Sequence, residues 1–388
     1  MSELTPSEVP LALYIHLPWC VRKCPYCDFN SHTAPDGLPE DAYVAALLRD
    51  LTADLATLEE RPLSSVFIGG GTPSLFSGAA IGRLMDGVRA RVALPAHAEV
   101  TLEANPGTVD AANFAGYRAA GVNRLSIGVQ SLRAAQLQAL GRIHGPDDVT
   151  RAVATARAVG FDNFNLDLMH GLPGDAPGDA LEDLRGALAF GPTHLSWYQL
   201  TIEAGTAFAQ RPPVLPNEDV IADDFDAGSA LLAAAGFTRY EVSAYARAGC
   251  ESRHNLNYWT FGDYLGIGAG AHGKLTHAGG VVRTLKRRHP QAYLKAASEG
   301  TSVAVPVGDL VMEFMLNALR LRAGFSSALF TQRTGLAWRT IADPVAVAIA
   351  RGWLAQTALG VAPTTLGYRF LNDLQLLFLE TDGAIASC

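Results

Sequence analysis

Residues 11–27 read Leu11-Ala-Leu-Tyr-Ile-His-Leu17-Pro-Trp-Cys20-Val-Arg-Lys-Cys24-Pro-Tyr-Cys27, and this stretch decides the fold of the 388-residue chain. Its first seven residues form a short apolar run, which predicts a buried β-strand. The strand leads directly into a loop that carries three cysteines at CxxxCxxC spacing. The sequence therefore predicts a strand whose end delivers three thiols to one place.

The number of thiols limits what the loop can hold. Three thiolates are one fewer than a closed tetrahedral zinc site needs. In an iron–sulfur cluster of four irons, three cysteines leave one iron without a protein ligand. That iron can bind the amino and carboxylate groups of S-adenosylmethionine (SAM), whose reductive cleavage yields a radical. The spacing favours a [4Fe-4S] cluster with SAM, and the alternatives are a zinc site completed by a histidine or three buried thiols.

Strand-like and helical segments alternate through the first half of the chain. Helical periodicity covers residues 41–60, 111–120, 147–159 and 179–190. Such alternation predicts a parallel sheet with right-handed crossovers. Six units of this kind predict an α/β fold that closes partway into a (β/α)6 barrel. The predicted strands are residues 11–17, 65–69, 99–103, 124–129, 163–169 and 195–200.

Polar residues and glycines cluster at the C-terminal strand ends, where barrels of this kind carry out chemistry. Gly70 and Gly71 could expose backbone to a ligand, because no side chain stands in the way. Glu103 and Asp167 are suited to hydrogen-bond a ribose or an ammonium group. Arg142 could pair with a carboxylate, although a surface arginine is the alternative.

An ordered series of motifs resembles the radical SAM proteins of the HemN-like, or coproporphyrinogen dehydrogenase, family. It comprises Tyr14-Ile-His-Leu-Pro-Trp-Cys20, Cys24-Pro-Tyr-Cys27-Asp-Phe-Asn-Ser-His32, Phe67-Ile-Gly-Gly-Gly-Thr-Pro-Ser74, Glu103-Ala-Asn-Pro106, Ser126-Ile-Gly-Val-Gln130 and Asn165-Leu-Asp-Leu-Met169. The resemblance implies a partial (β/α)6 TIM-like radical SAM barrel with a small, mainly helical, winged-helix-like C-terminal domain.

The same resemblance implies a set of binding residues. Cys20, Cys24 and Cys27 match the ligands of the [4Fe-4S] cluster. The positions that match contacts to SAM are Tyr14, Tyr26, Gly70, Gly71, Thr72, Glu103, Gln130, Arg142 and Asp167. Thr201 and a loop at 266–272 are weaker matches, because they rest on counting along looser stretches.

One departure from the family pattern bears on function. The dehydrogenases carry a fourth cysteine two residues after the third, whereas this chain has Phe29 there. The change argues against porphyrinogen decarboxylation and fits the heme-chaperone branch of the family.

A second motif indicates heme. His254-Asn255-Leu-Asn-Tyr258-Trp259 resembles the HNxxYW pattern associated with heme binding in the chaperone branch. A neutral imidazole can ligate iron, and the two aromatic rings could cover a porphyrin face. The alternative is a capped loop histidine with its aromatic neighbours in the core. His16 and His32 are further candidate ligands, and His16 is expected to be structural.

The strand–helix rhythm stops near residue 290, which predicts a radical SAM core with the heme motif at 1–290 and a C-terminal domain at 291–388. A strong amphipathic helix is expected at 309–321, and further helices at 325–330, 344–354 and 368–380. Residues 359–367 are expected to form a β-turn or wing between them. This segment is not basic, so a winged-helix resemblance does not imply nucleic-acid binding.

Composition limits the partners and the compartment. The net charge of −8 argues against a nucleic-acid partner. We expect the basic run Lys286-Arg287-Arg288-His289 to be a solvated edge, and contact with anionic lipid or a phosphate is the alternative. Three of the five cysteines are clustered, so no disulfide framework is expected and a reducing compartment is indicated.

No apolar stretch approaches the ~20 residues of a membrane span, and the N-terminus does not resemble a signal peptide. We therefore expect a cytoplasmic protein, with a peripheral position at the inner membrane face as an option.

The sequence thus supports three hypotheses. The first is a heme chaperone that carries a cluster and SAM and hands heme to hemoproteins of the respiratory chain. The second is an oxygen-independent coproporphyrinogen III oxidase, which converts propionates to vinyls by radical chemistry. The third is another radical enzyme with a different small substrate, because fold does not fix function. No residue is assigned a catalytic role.

Overall fold

Parallel strands with intervening helices form the centre of the computed structural model, which describes residues 3–379. The strands of the large sheet are β1 (Leu11–Leu17), β2 (Leu63–Gly70), β3 (Glu99–Ala104), β4 (Arg124–Gln130), β5 (Phe164–His170), β6 (His194–Gln199), β7 (Thr238–Arg239), β8 (Ala244–Ala246), β9 (Asp263–Ile267), β10 (His272–His277), β11 (Gly280–Lys286) and β12 (Gly300–Ala304). Their spatial order is β12-β11-β10-β9-β1-β2-β3-β4-β5-β6-β8-β7.

Helices cover this sheet and form most of the C-terminal region. They are α1 (Glu40–Leu55), α2 (Gly78–Arg89), α3 (Ala111–Ala119), α4 (Ala134–Ala139), α5 (Pro146–Ala158), α6 (Asp179–Ala189), α7 (Ala207–Gln210), α8 (Glu218–Ala234), α9 (Arg253–Trp259), α10 (Pro290–Lys295), α11 (Val307–Ala318), α12 (Ser327–Thr334), α13 (Ala342–Ala350), α14 (Thr365–Arg369) and α15 (Leu371–Leu376). No helix within residues 3–379 combines the length and the apolar character that a membrane crossing requires.

The six predicted strands are confirmed as β1 to β6, which are adjacent and parallel. Strand β1 lies near the middle of the sheet and is buried along both faces, as expected for parallel strands covered by helices. The sheet is wider than predicted, because β9 pairs in parallel with the free side of β1. Antiparallel strands then extend the sheet on both sides.

The segment at 266–272 is a correction to the sequence analysis. A loop is expected over this whole segment, but Gly266 and Ile267 complete the buried strand β9 and His272 begins β10, so the connection is confined to residues 268–271. A side chain at Gly266 would lie 1.9 Å from the backbone oxygen of His272, so glycine permits the close approach of β9 and β10. Glycine-rich composition here indicates close backbone packing.

The basic run at the end of β11 is a second correction. Lys286 is only 4% exposed and its ammonium lies 2.6 Å from Asp50 and 2.7 Å from Asp54. Two carboxylates on α1 therefore compensate the buried charge, as a buried lysine requires. Arg287, Arg288 and His289 are exposed, as expected.

The C-terminal region has its own apolar core around Phe314 and Phe330. The wing expected at 359–367 corresponds to a two-stranded hairpin of β13 (Leu354–Gln356) and β14 (Val361–Pro363), which begins earlier and ends before α14 starts at Thr365. Leu4 and Phe261 also belong to this core, so the N-terminal part of the chain contributes to it. Residues 380–388 of the predicted domain lie outside the described residues, and the boundary near 290 stays a prediction.

Candidate functional site

The three cysteines lie around one cavity of about 340 Å³ at the C-terminal end of β1. Short parallel pairing of Trp19–Cys20 with His32–Thr33 closes the loop that carries them. Each thiol is free and half-buried. Burial raises the pKa of the Cys20 and Cys27 thiols, so their thiolate forms need a positive partner such as iron.

Two glycines let β2 approach this loop closely. Gly70 has φ +117°, and a side chain there would lie within 2.6 Å of the His16 imidazole. A side chain at Gly71 would lie 2.6 Å from the backbone oxygen of Trp19. The Gly71 N–H donates to the Leu17 carbonyl, and the Thr72 N–H donates to that of Trp19. Backbone therefore forms this wall of the cavity.

Two carboxyl groups, Glu103 from β3 and Asp167 from β5, also line this cavity. Glu103 accepts from the Gly70 N–H at 3.0 Å. Burial and the charge of Asp167 raise the pKa of Glu103 to about 8. Asp167 accepts from Asn165 at 2.7 Å and Ser126 at 3.2 Å, and burial nonetheless raises its pKa. Such a pair would be stabilised by a bound cation or hydroxyl donor.

The remaining wall carries Gln130 and Arg142. Gln130 ends β4 with φ +69°, a strained conformation for a residue other than glycine. Its side-chain oxygen accepts from the Tyr198 hydroxyl at 2.7 Å. Arg142 donates to the Gly128 carbonyl at 2.8 Å, and another of its nitrogens lies 3.7 Å from the Cys24 sulfur. A cationic group is therefore fixed beside one of the thiols.

The donor set fits the predicted cluster and SAM. Three free thiols, a guanidinium and two carboxyl groups surround one space, and SAM carries both anionic and cationic groups. Within residues 3–379, no three His, Cys, Asp or Glu side chains are disposed to hold a single metal ion. The thiols instead border a cavity with room for a larger group.

A second cavity of about 440 Å³ adjoins the first and shares Phe29, Gly70 and Glu103 with it. Aromatic rings form much of its wall, from Tyr14, Phe29, Tyr258 and Tyr264. Two imidazoles line it as well. His16 accepts from the Tyr14 hydroxyl at 2.9 Å and donates to the Asn30 carbonyl at 2.9 Å, so both its nitrogens are engaged. His272 is exposed at this cavity.

The HNxxYW residues form helix α9, which lies behind the second cavity. Its first turn is capped by Ser252 and held by Glu99, which accepts from the His254 N–H. The His254 side chain is 1% exposed, stacks on Phe67 at 5.0 Å and bonds to Ser65 at 3.0 Å. Burial lowers its pKa to about 3. Its Nε2 atom has no hydrogen-bond partner among residues 3–379.

Of this motif, Tyr258 lines the second cavity. Its ring lies 5.0 Å from that of His254, in an edge-on arrangement. Trp259 instead packs under the Arg320 guanidinium at 4.3 Å, and Asn255 is half-buried on the helix. The geometry thus makes His254 a support for the cavity wall. For His254 to act as the axial ligand of a heme iron, α9 would have to move.

Most predicted SAM and cluster residues meet at the first cavity. It is lined by Cys20, Cys24, Tyr26, Cys27, Gly70, Gly71, Thr72, Glu103, Gln130, Arg142 and Asp167. Tyr14 lines the second cavity, and Thr201 is exposed and lines neither. Two further residues, Ser196 and Tyr198, also line the first cavity from the same face of β6, and the sequence analysis does not predict them. Their spacing of two residues was the available signal.

Comparison with known proteins assigns the family. The model of the radical SAM superfamily matches residues 14–186, and that of the HemN C-terminal domain matches residues 306–370. Heme chaperone HemW of Escherichia coli (strain K12) is 52% identical over 371 residues, which are 95% of this chain and 98% of that protein. The chain belongs to the HemW family. The Haemophilus influenzae HemW is 48% identical over 97% of this chain and its own full length.

The HemW-family assignment agrees with the fold. The solved structure of coproporphyrinogen III oxidase (HemN) from Escherichia coli matches with a TM-score of 0.80 at 23% identity, over 96% of this chain and 91% of that one. At this identity the likeness concerns the fold alone. The predicted family and the predicted radical SAM barrel with a HemN-like C-terminal domain are confirmed.

Proposed function

We propose that this protein is a heme chaperone, which binds heme and hands it to hemoproteins. The observation that carries the proposal is the aromatic cavity, because a porphyrin needs flat apolar walls beside a group able to ligate iron. The HemW name of relatives that match nearly the whole chain supports it. The finer proposal is that the acceptors belong to the respiratory chain and that the chaperone meets them at the cytoplasmic face of the membrane.

The neighbouring cavity would hold the other two groups. Cys20, Cys24 and Cys27 would ligate a [4Fe-4S] cluster, and Glu103, Gln130, Arg142 and Asp167 would bind SAM. When bound, the cluster supplies one-electron chemistry to SAM. Arg142 would hold a carboxylate, while the two carboxyl groups would accept from ammonium or ribose donors.

The decisive experiment uses one anaerobically reconstituted sample in two assays. Heme is titrated by absorbance, and coproporphyrinogen III is incubated with SAM and a reductant. We expect saturable heme binding and no protoporphyrinogen, because Phe29 stands where the oxidases carry their fourth cysteine. Decarboxylation without stable heme binding would instead identify the protein as an oxygen-independent coproporphyrinogen III oxidase.

Two variants test which histidine ligates the heme iron. His254→Ala should weaken heme binding about tenfold and leave cluster absorbance intact, because the ring supports Tyr258 at the cavity wall. His272→Ala should change the ligand-sensitive heme bands, because His272 is the exposed imidazole at this cavity. His277→Ala, in neither cavity, is the control. A changed coordination spectrum in His254→Ala alone would restore His254 as the iron ligand.

A further inference from the structure

Among residues 3–379, a single arginine or lysine lines the second cavity, and it is Arg288. It lies just beyond the end of β11 and its side chain is exposed. No carboxylate of the described residues lies within 4 Å of its guanidinium. A positive charge that the protein does not neutralise therefore stands at the edge of the aromatic cavity.

The other cations of this segment have carboxylate partners. Each lies within 4 Å of at least one acidic side chain: Arg283 of Glu313, Lys286 of Asp50 and Asp54, and Arg287 of Glu299. None of these three cations lines the second cavity. The charge that is left without a partner is thus the one at the cavity, which indicates that its partner is a ligand.

Hydrogen bonds hold the backbone that carries this cation. The Arg288 carbonyl accepts from the Asn30 side-chain amide at 2.8 Å, and the Arg287 carbonyl accepts from the Gly270 N–H at 2.9 Å. Asn30 and Gly270 also line the second cavity. The arginine therefore extends from a fixed point of the cavity wall, so binding of an anion has to order only its side chain.

An imidazole lines the same cavity. His272 begins β10 and pairs in register with Leu285 of β11, and both residues line the cavity. The pKa of His272 is lowered, first by partial burial and then by the positive charges of Arg283 and Arg288. A ring that is neutral at pH 7 is able to ligate iron. The cavity thus offers an iron ligand and, separate from it, a cation.

These two groups match the two polar parts of heme. The iron lies at the centre of the porphyrin, whereas two propionate carboxylates lie at one edge of the ring. A guanidinium binds a carboxylate through two parallel N–H donors, which gives the contact direction as well as charge. We propose that Arg288 binds one propionate carboxylate of heme in the second cavity while His272 ligates the iron. This inference deepens the proposed function and rests on it.

Two carboxyl groups, Asp28 and Glu103, line the same cavity without cancelling this charge. Asp28 is exposed and does not pair with Arg288. Glu103 accepts from the Gly70 N–H, and its pKa of about 8 leaves it largely protonated at pH 7. An ionised acid elsewhere on the wall repels a propionate, which favours the arginine as the place where the carboxylate binds.

The test compares heme with heme dimethyl ester, in which neither propionate carries a charge. Each is titrated by absorbance, in the same neutral detergent, onto the anaerobically reconstituted wild type, Arg288→Gln and Arg287→Gln. Arg287→Gln is the matched control, because it removes the same charge one residue away and Arg287 lines neither cavity. Arg288→Lys keeps the charge and loses the paired N–H donors.

We expect the wild type to bind heme about tenfold more tightly than the ester, as a charge-assisted hydrogen bond to a carboxylate predicts. Arg288→Gln should weaken heme binding by about that factor and change ester binding less than about twofold, so it loses the preference. Arg287→Gln should keep the preference, and Arg288→Lys should keep part of it. The ligand-sensitive heme bands should stay unchanged in all three variants, because each retains His272.

Three results would overturn the inference. The first is equal affinity of the wild type for heme and for the ester. The second is a preference for heme that persists in Arg288→Gln, because the carboxylate would then bind another residue. The third is an equal loss of preference in Arg287→Gln and Arg288→Gln, which would make the effect one of overall charge. Failure of the proposed function would differ from all three, because the wild type would then show no saturable binding of either compound.

Discussion

Glu103 is a carboxyl group whose proton must leave before it can serve as an anionic partner. Its pKa of about 8 arises from burial and from the neighbouring charge of Asp167. Binding of SAM to the ionised form is therefore linked to proton release at any pH below 8. We expect the affinity for SAM to rise about tenfold per pH unit from pH 6 to 8 and then to level off.

Glu103→Gln isolates this contribution, because the amide cannot ionise. The variant should bind SAM more weakly at pH 8 and lose the steep part of the pH profile, as measured by calorimetric titration of the reconstituted protein. An unchanged slope in the variant would assign the titration to another group, such as the amino group of SAM itself.

Cys24 tests the assignment of the cluster ligands. Removing one thiol leaves two protein ligands for four irons, so Cys24→Ser should abolish the broad iron–sulfur absorbance after anaerobic reconstitution. Cys250→Ser is the matched control, because this free cysteine lies outside the three-cysteine loop. A full cluster spectrum in Cys24→Ser would remove Cys24 from the ligand set.

At the scale of elements, the end of β2 must lie flat against the cysteine loop. The Cβ of Gly71→Ala would meet the fixed backbone oxygen of Trp19 at 2.6 Å, so the strand end and the loop must separate. We expect a loss of about 1–3 kcal/mol in unfolding free energy, together with weaker SAM binding.

Gly82→Ala provides the comparison. It lies within α2, where nothing stands within 4 Å of the added methyl group. Because alanine favours helix, this variant should gain about 0.5–1 kcal/mol and keep its SAM affinity. Chemical denaturation and SAM titration measure both variants, and equal stability changes in the two would refute the close-contact argument.

The elements also explain what the sequence could predict. Strands β1 to β6 were predictable because each is a short apolar run next to a helical period. Strand β9 was not, because Gly266 and the glycines that follow the strand indicate a loop until β1 and β10 are known to flank it. Glu103 and Asp167 were predictable because polar residues near strand ends are expected at the site. The burial of His254 was not predictable, because it depends on how α9 packs against β2, which no local sequence pattern encodes.

At the scale of the whole molecule, buried histidines couple stability to pH. His144, His170, His194 and His254 are each at most 4% exposed, and burial lowers the pKa of each. All four are therefore neutral in the folded protein at pH 7. Because the unfolded chain takes up these protons below pH 6.5 while the folded protein does not, stability is lost as the pH falls from 6.5 towards 4.

His170→Leu measures how much His170 contributes to the pH dependence of the unfolding free energy. The ring packs against Trp197 at 4.5 Å and Phe225 at 5.7 Å, so leucine suits the site, and the pKa of His170 is lowered to about 4. Denaturant unfolding of the cluster-free protein at pH 7 and pH 5 should show a smaller loss of stability in the variant, by about 1–2 kcal/mol. His97→Gln, at an exposed position, should lose as much as the wild type. If His170→Leu and the wild type lose equal stability, then His170 takes up its proton without unfolding, and the acid sensitivity of the fold lies with the other three rings.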